Sequence, residues 1–157
     1  MISRLPRILL AGMLLMVSGC GYRFVNPFPA EDYTLHSVKN ASPEPGLGRI
    51  LADQLLEKGD FVTRSENSLS VVITRFEESV AAVSSAGVPV RQNLSMVVAW
   101  KVEGGNRSEA VFGQESVSTS YPYPSEPADH EWNRAAAVRQ LAGTAAQIIL
   151  DKLRGSP

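Results

Sequence analysis

The sequence holds one cysteine, two histidines and no apolar run long enough to span a bilayer as a helix, which needs roughly 20 residues. A single cysteine excludes an internal disulfide, a CxxC redox pair and a cysteine-based zinc cluster. His36 and His130 stand far apart without partners at ligand spacing, so they read as surface or capping groups. No serine lies in a GxSxG elbow. Gly46-Leu47-Gly48 lacks the rest of a phosphate or dinucleotide loop. Glu77-Glu78 and Asp129-His130-Glu131 read as solvated charges rather than catalytic pairs across a cleft. The chain is therefore expected not to be an enzyme and to carry no metal. An excess of positive charge is also missing: the net charge is -1, which excludes a global footprint for nucleic acid.

The one cysteine sits in an informative place. Arg4 and Arg7 give a positive start, and Ile8 to Val17 is apolar apart from Gly12. That run is of signal-peptide length. Val17-Ser18-Gly19-Cys20 follows, an apolar residue and two small ones before a thiol, and resembles the lipobox of bacterial lipoproteins. The resemblance implies cleavage before Cys20, which would then carry an S-diacylglycerol and an N-acyl chain as the only covalent addition; no separate cofactor is expected. One acyl chain binds a membrane reversibly, whereas three hold it in effect permanently. Gly21 stands where the family's inner-membrane proteins commonly have Asp, so the outer membrane, facing the periplasm, is the expected location.

This divides the chain into a signal peptide (1–19), a lipidated tether (20–32) and one domain (33–157). Without Arg4 and Arg7 the mature chain has 13 basic and 16 acidic residues. Asn26-Pro27-Phe28-Pro29 reads as extended tether because proline donates no ladder hydrogen bond. Phe24 and Phe28 are candidates for contact with a partner or the lipid surface.

Within the domain, Tyr33 to Val38 is a short strand candidate. Leu47, Ile50, Leu51, Leu55 and Leu56 recur at helical spacing, giving a helix over Pro45 to Lys58, started by Glu44-Pro45 and closed by a left-handed Gly59. Leu69, Val71 and Ile73 alternate, and the pattern slips around Phe76 to Glu78, a bulge or a strand end. Leu94, Met96, Val98, Trp100 and Val102 form the clearest strand, with Trp100 expected in the core. Gly104-Gly105-Asn106 turns into a strand from Val111 to Tyr121. Tyr121 and Tyr123, beside prolines, suit partner contact and packing equally. Asp129 is the expected N-cap of a long last helix that ends at Gly155, with an apolar stripe from Ala135 to Leu153. The fold class is α+β: a two-layer sandwich, two helices on one face of a mostly antiparallel four-stranded sheet.

This order of features resembles the LptE family of lipopolysaccharide-assembly lipoproteins. Cys20-Gly21-Tyr22-Arg23-Phe24 is similar to the family's CGY-aromatic start. Leu47, Leu51, Asp53, Leu55, Gly59 and Phe61 match its first helix, and Phe61-Val62 with Leu69 to Ile73 its next strand. Arg91, Leu94, Val98, Trp100 and Val102 echo the following strand. The resemblance implies a plug subunit, partnered with the outer-membrane β-barrel that inserts lipopolysaccharide into the outer leaflet, and binding lipopolysaccharide itself. The loop the family uses for lipopolysaccharide, here Ser84 to Asn93, offers only Arg91, with Arg75 on the strand before it; these two are the candidate contacts. The stretch Leu35 to Ala41 is shorter and weaker than its counterpart in the family. The competing expectation is a periplasmic accessory lipoprotein of an ABC-type lipid transporter.

Overall fold

The computed structural model describes residues 32–105, 109–124 and 126–155. The signal peptide, Cys20 with its expected lipid, and the tether up to Glu31 lie outside the described residues. The chain runs β1 (Tyr33–Asn40), α1 (Leu47–Lys58), β2 (Asn67–Val83), β3 (Pro89–Gly104), β4 (Val111–Pro122) and α2 (Pro127–Arg154). The sheet order is β1-β2-β3-β4. β2, β3 and β4 form an antiparallel meander, while β1 pairs parallel to β2 with α1 as the crossover. The result is the expected α+β sandwich, with both helices on one face.

Alternation explains the core. Leu94, Met96, Val98, Trp100 and Val102 are all buried on β3, facing Leu69, Val71 and Ile73 of β2 and Val117 and Tyr121 of β4. Leu47, Leu51 and Leu55 of α1 and Val138, Leu141, Ala145, Ile149 and Leu153 of α2 close over them. Apolar burial of this kind is the main favourable term in folding. The slip in β2 is a bulge, not a strand end: Ile73 opposes Val98 and Arg75 opposes Val97, leaving Thr74 as the extra residue. One inserted residue inverts the parity, so Phe76 returns to the core face.

Several local expectations are corrected. α1 begins at Leu47, because Gly46 at φ +77° breaks the helical path after Pro45. Gly59 is extended, at φ -101°, and does not form a left-handed cap. A Cβ there would lie 2.3 Å from the Phe61 ring, so close approach is what requires glycine. α2 is capped by Glu126 with Pro127 in its first turn, and Asp129 already lies inside the helix; proline suits that position because its missing N–H would be unsatisfied there anyway. Finally, the loop expected over Ser84 to Asn93 is a tight turn of residues 84–88 followed by strand. The Ser84 N–H donates to the Val88 carbonyl at 2.7 Å, and Pro89 to Asn93 belong to β3.

Candidate functional site

The helices leave one face of the sheet uncovered. Register places Ser70 and Val72 of β2, Ser95, Val97 and Ala99 of β3, and Ser116, Ser118 and Ser120 of β4 on it. The three β4 serines are exposed and the β3 residues half-buried. The middle of this face thus presents hydroxyls and small apolar groups. An ion pair, Arg75 with Glu77 at 2.6 Å on β2, lies in the same rows, across from Val97 and Ser95, and Lys101 with Glu103 on β3 lies towards one end.

Arg75 and Arg91, the two candidate contacts, both lie on this open face, but the structure does not bring them together. Arg75 pairs across from Val97, six residues along β3 from Arg91, a separation of about 20 Å at strand rise. Glu77 already occupies the Arg75 guanidinium. Arg91 donates to the Ser120 hydroxyl at 3.3 Å and is exposed.

The helix-side face holds a polar cluster that the sequence did not reveal. Arg134 of α2 donates two hydrogen bonds to the Glu44 carboxylate, at 3.1 and 2.8 Å, and a third from Nε to Glu78 at 3.0 Å. The buried Tyr121 hydroxyl donates to the other Glu78 oxygen and lies 3.2 Å from His130 Nε2. Tyr123 meets the His130 ring edge-on, 4.5 Å between centroids. Glu44, read as part of a helix start, in fact ties the β1–α1 connection to α2. Glu78, read as a solvated strand-end charge, sits at core parity after the bulge and is held by Tyr121 and Arg134 while still reaching solvent. His130 is half-buried between two tyrosines rather than a surface group.

The electrostatics follow from these contacts. Burial pushes the Glu78 carboxyl up, but hydrogen bonds from Tyr121 and Arg134 outweigh it and hold it below the ordinary value of 4.5. Burial, then the bond to Glu78, raises the Tyr121 phenol, which keeps its proton. The bond to Glu44 makes Arg134 hold its proton more firmly than usual. Because Glu78 ionises more readily in the folded state, its contribution to stability is complete above pH 4.5 and is lost as pH falls through its lower folded value. We expect the denaturation midpoint to drop as pH falls below about 4.5, and Glu78→Gln to flatten that drop. Urea titrations at a series of pH values check it; parallel profiles for the two proteins would contradict the assignment.

Beside this cluster, Val88, Pro89, Val90, Tyr123, Pro124, Pro127, His130 and Glu131 line a groove of about 430 Å³. Val80, Val83, Val88 and Val90 are exposed around the β2–β3 turn. Among the described residues there is no group of three or more His, Cys, Asp or Glu placed to hold a metal, and no helix long and apolar enough to cross a membrane.

No family profile matches the sequence, and neither does any curated protein. Solved structures do match. A lipoprotein of Caulobacter crescentus aligns with TM-score 0.53 at 22% identity, covering 73% of this chain and 85% of that one. Rare lipoprotein B of Shewanella oneidensis aligns with TM-score 0.53 at 17% identity, covering 73% of this chain and 92% of that one. Lipoprotein B of Nitrosomonas europaea aligns with TM-score 0.50 at 16% identity, covering 78% and 81%. The fold is one found in bacterial lipoproteins. At these identities the likeness concerns the fold alone, and it agrees with the element order from which the LptE resemblance was drawn.

Proposed function

We propose that this chain is an outer-membrane lipoprotein that plugs, and assists the assembly of, the β-barrel inserting lipopolysaccharide into the outer leaflet, and that it contacts lipopolysaccharide directly. The observation that carries this reading is the open sheet face. A barrel lumen is walled by polar side chains. A domain lodged there must offer hydrogen-bonding groups while burying few unpaired charges, which are costly away from water. Ser95, Ser116, Ser118 and Ser120, set among Val97 and Ala99, meet both conditions. The lipobox at Cys20, the CGY-aromatic start and the lipoprotein fold support the same reading. Arg91, at the border of this face, would meet lipid phosphate through charge-assisted hydrogen bonds.

Photo-crosslinkers at positions 86 to 93 should trap a large outer-membrane barrel in whole cells. Arg91→Glu should weaken lipopolysaccharide binding by about tenfold, the loss of one charge-assisted hydrogen bond, while the barrel complex still co-purifies. Crosslinks confined to small periplasmic proteins, with lipopolysaccharide binding unchanged by Arg91→Glu, would replace this reading with that of a transporter accessory.

A further inference from the structure

The β2–β3 hairpin runs on beyond the rest of the sheet. β1 leaves β2 at Ile73, and β4 reaches along β3 only to Arg91, which faces Pro122. Ser79 to Val90, the stretch that forms this tip, holds no charged residue. Among the described residues, four of the eight exposed large hydrophobic side chains fall in it: Val80, Val83, Val88 and Val90. A fifth, Tyr123, is fastened beside them, its N–H donating to the Val90 carbonyl at 3.0 Å. The turn satisfies its own polar groups. The Ser84 N–H donates to the Val88 carbonyl, and the N–H groups of Gly87 and Val88 donate to the Ser84 carbonyl and hydroxyl. What the tip leaves open to water is therefore mainly apolar side chain, and such a cluster marks a surface that something covers.

We propose that this tip dips into the headgroup layer of a phospholipid bilayer in the chain that no protein partner yet covers. Three observations select a lipid surface. First, the tip offers valine and alanine, whereas protein interfaces are anchored by Trp, Tyr and Arg, with Val under-represented. Second, the amphipathic residues form a collar behind the tip, with Arg91 opposite Ala82 and Tyr123 beside Val90. Aromatic and long basic side chains take that place at a membrane surface. The collar stands back from the turn by about 7–10 Å at strand rise, which matches the roughly 5–10 Å depth of interfacial segments. Third, the register of β2 breaks between Val80 and Ala82 and again between Ala82 and Val83, which spoils its outer edge for the addition of a partner strand. One cation is no polybasic patch, so the tip does not select anionic lipid. The tip lies at the end of β2 opposite Tyr33, about 56 Å away at strand rise. A tether of residues 21–32 spans about 40 Å at most. A domain anchored at Cys20 therefore brings its tip to the same bilayer lying inclined, not upright. None of this depends on the barrel reading.

The test uses the mature lipoprotein reconstituted into phosphatidylcholine vesicles. A nitrobenzoxadiazole fluorophore is attached to Ala86→Cys in the turn or to Gln140→Cys, an exposed position midway along α2. Peptide mapping checks that Cys20 carries none of it. Emission from position 86 should move to the blue relative to position 140. It should be quenched more by phosphatidylcholine carrying a nitroxide near the headgroup than by one carrying it at the chain end. Val83→Asp together with Val88→Asp should abolish both effects, because a charge is costly away from water. The thermal midpoint should stay where it is, since both side chains are exposed. The proposal is overturned if the label at 86 emits like the label at 140, or if its shift survives the double substitution. It is equally overturned if the shift fades as lipid is raised at constant protein, which would mean that two copies cover each other's tips.

Discussion

Cys20→Ala is expected to abolish lipidation outright. [³H]Palmitate incorporation should vanish, and a precursor longer than the mature protein by the 19-residue signal should accumulate, because no other thiol in the chain can take the diacylglycerol. The physical consequence is large. Each acyl methylene contributes about 0.8 kcal/mol to membrane affinity, and among the described residues there is no helix that could hold the protein in a bilayer instead. The unlipidated precursor, which keeps its signal segment, should therefore be mislocalised, as membrane fractionation would show. Persistent labelling would show that the Val17-Ser18-Gly19-Cys20 reading is wrong, whatever the fate of the folded domain.

The second large effect lies in the core. Gly113 of β4 is the register partner of Trp100, and a Cβ on it would lie 2.1 Å from the indole Cζ2 and 2.2 Å from Cε2. The ring thus crosses the neighbouring strand where only a glycine leaves room. Trp100→Ala removes the largest side chain on the clearest strand and should cost about 3–5 kcal/mol, a large part of the 5–15 kcal/mol that holds an ordinary domain folded. Gly113→Val should cost about 1–3 kcal/mol by forcing the ring out of place. The two share one volume, so they should not add: in the double variant the valine partly fills the space left by the indole. Chemical denaturation of the four proteins measures this. Strict additivity would mean that the ring and Gly113 do not compete for space.

The order of elements was legible because it rests on periodicity, which each segment carries by itself. Leu94 to Val102 alternates without interruption, and the apolar stripe of α2 repeats at three and four residues; each settles its own burial. What could not be read from one sequence depends on where segments meet. The Glu44–Arg134–Glu78–Tyr121–His130 cluster draws on the β1–α1 connection, two strands and the last helix, and no spacing rule links positions so far apart. Thr74 hid its main clue. The bulge inverts the parity of β2, so Glu78 has to be counted from Phe76, not from Ile73, before it falls on the helix side. The turn at residues 84–88 looked longer than it is because Pro89, a residue usually found in loops, starts β3. The candidate contacts were recognised as basic positions, but not that Glu77 already holds Arg75 or that Arg91 leans on Ser120.

The parallel pairing of β1 with β2 has a mechanical meaning. A lipid on Cys20 would load the chain at Tyr33, the end of β1 away from the far turn of the β2–β3 hairpin. When the domain is held near that turn, the load runs lengthwise through the seven residue pairs of the β1–β2 ladder. Those bonds are stretched together in shear instead of opening one after another like a zip. An antiparallel β1 would have received the lipid's pull at its opposite end and been peeled from the sheet. Were the domain anchored at that end and held at the other, the eight-residue first strand would bear the tension.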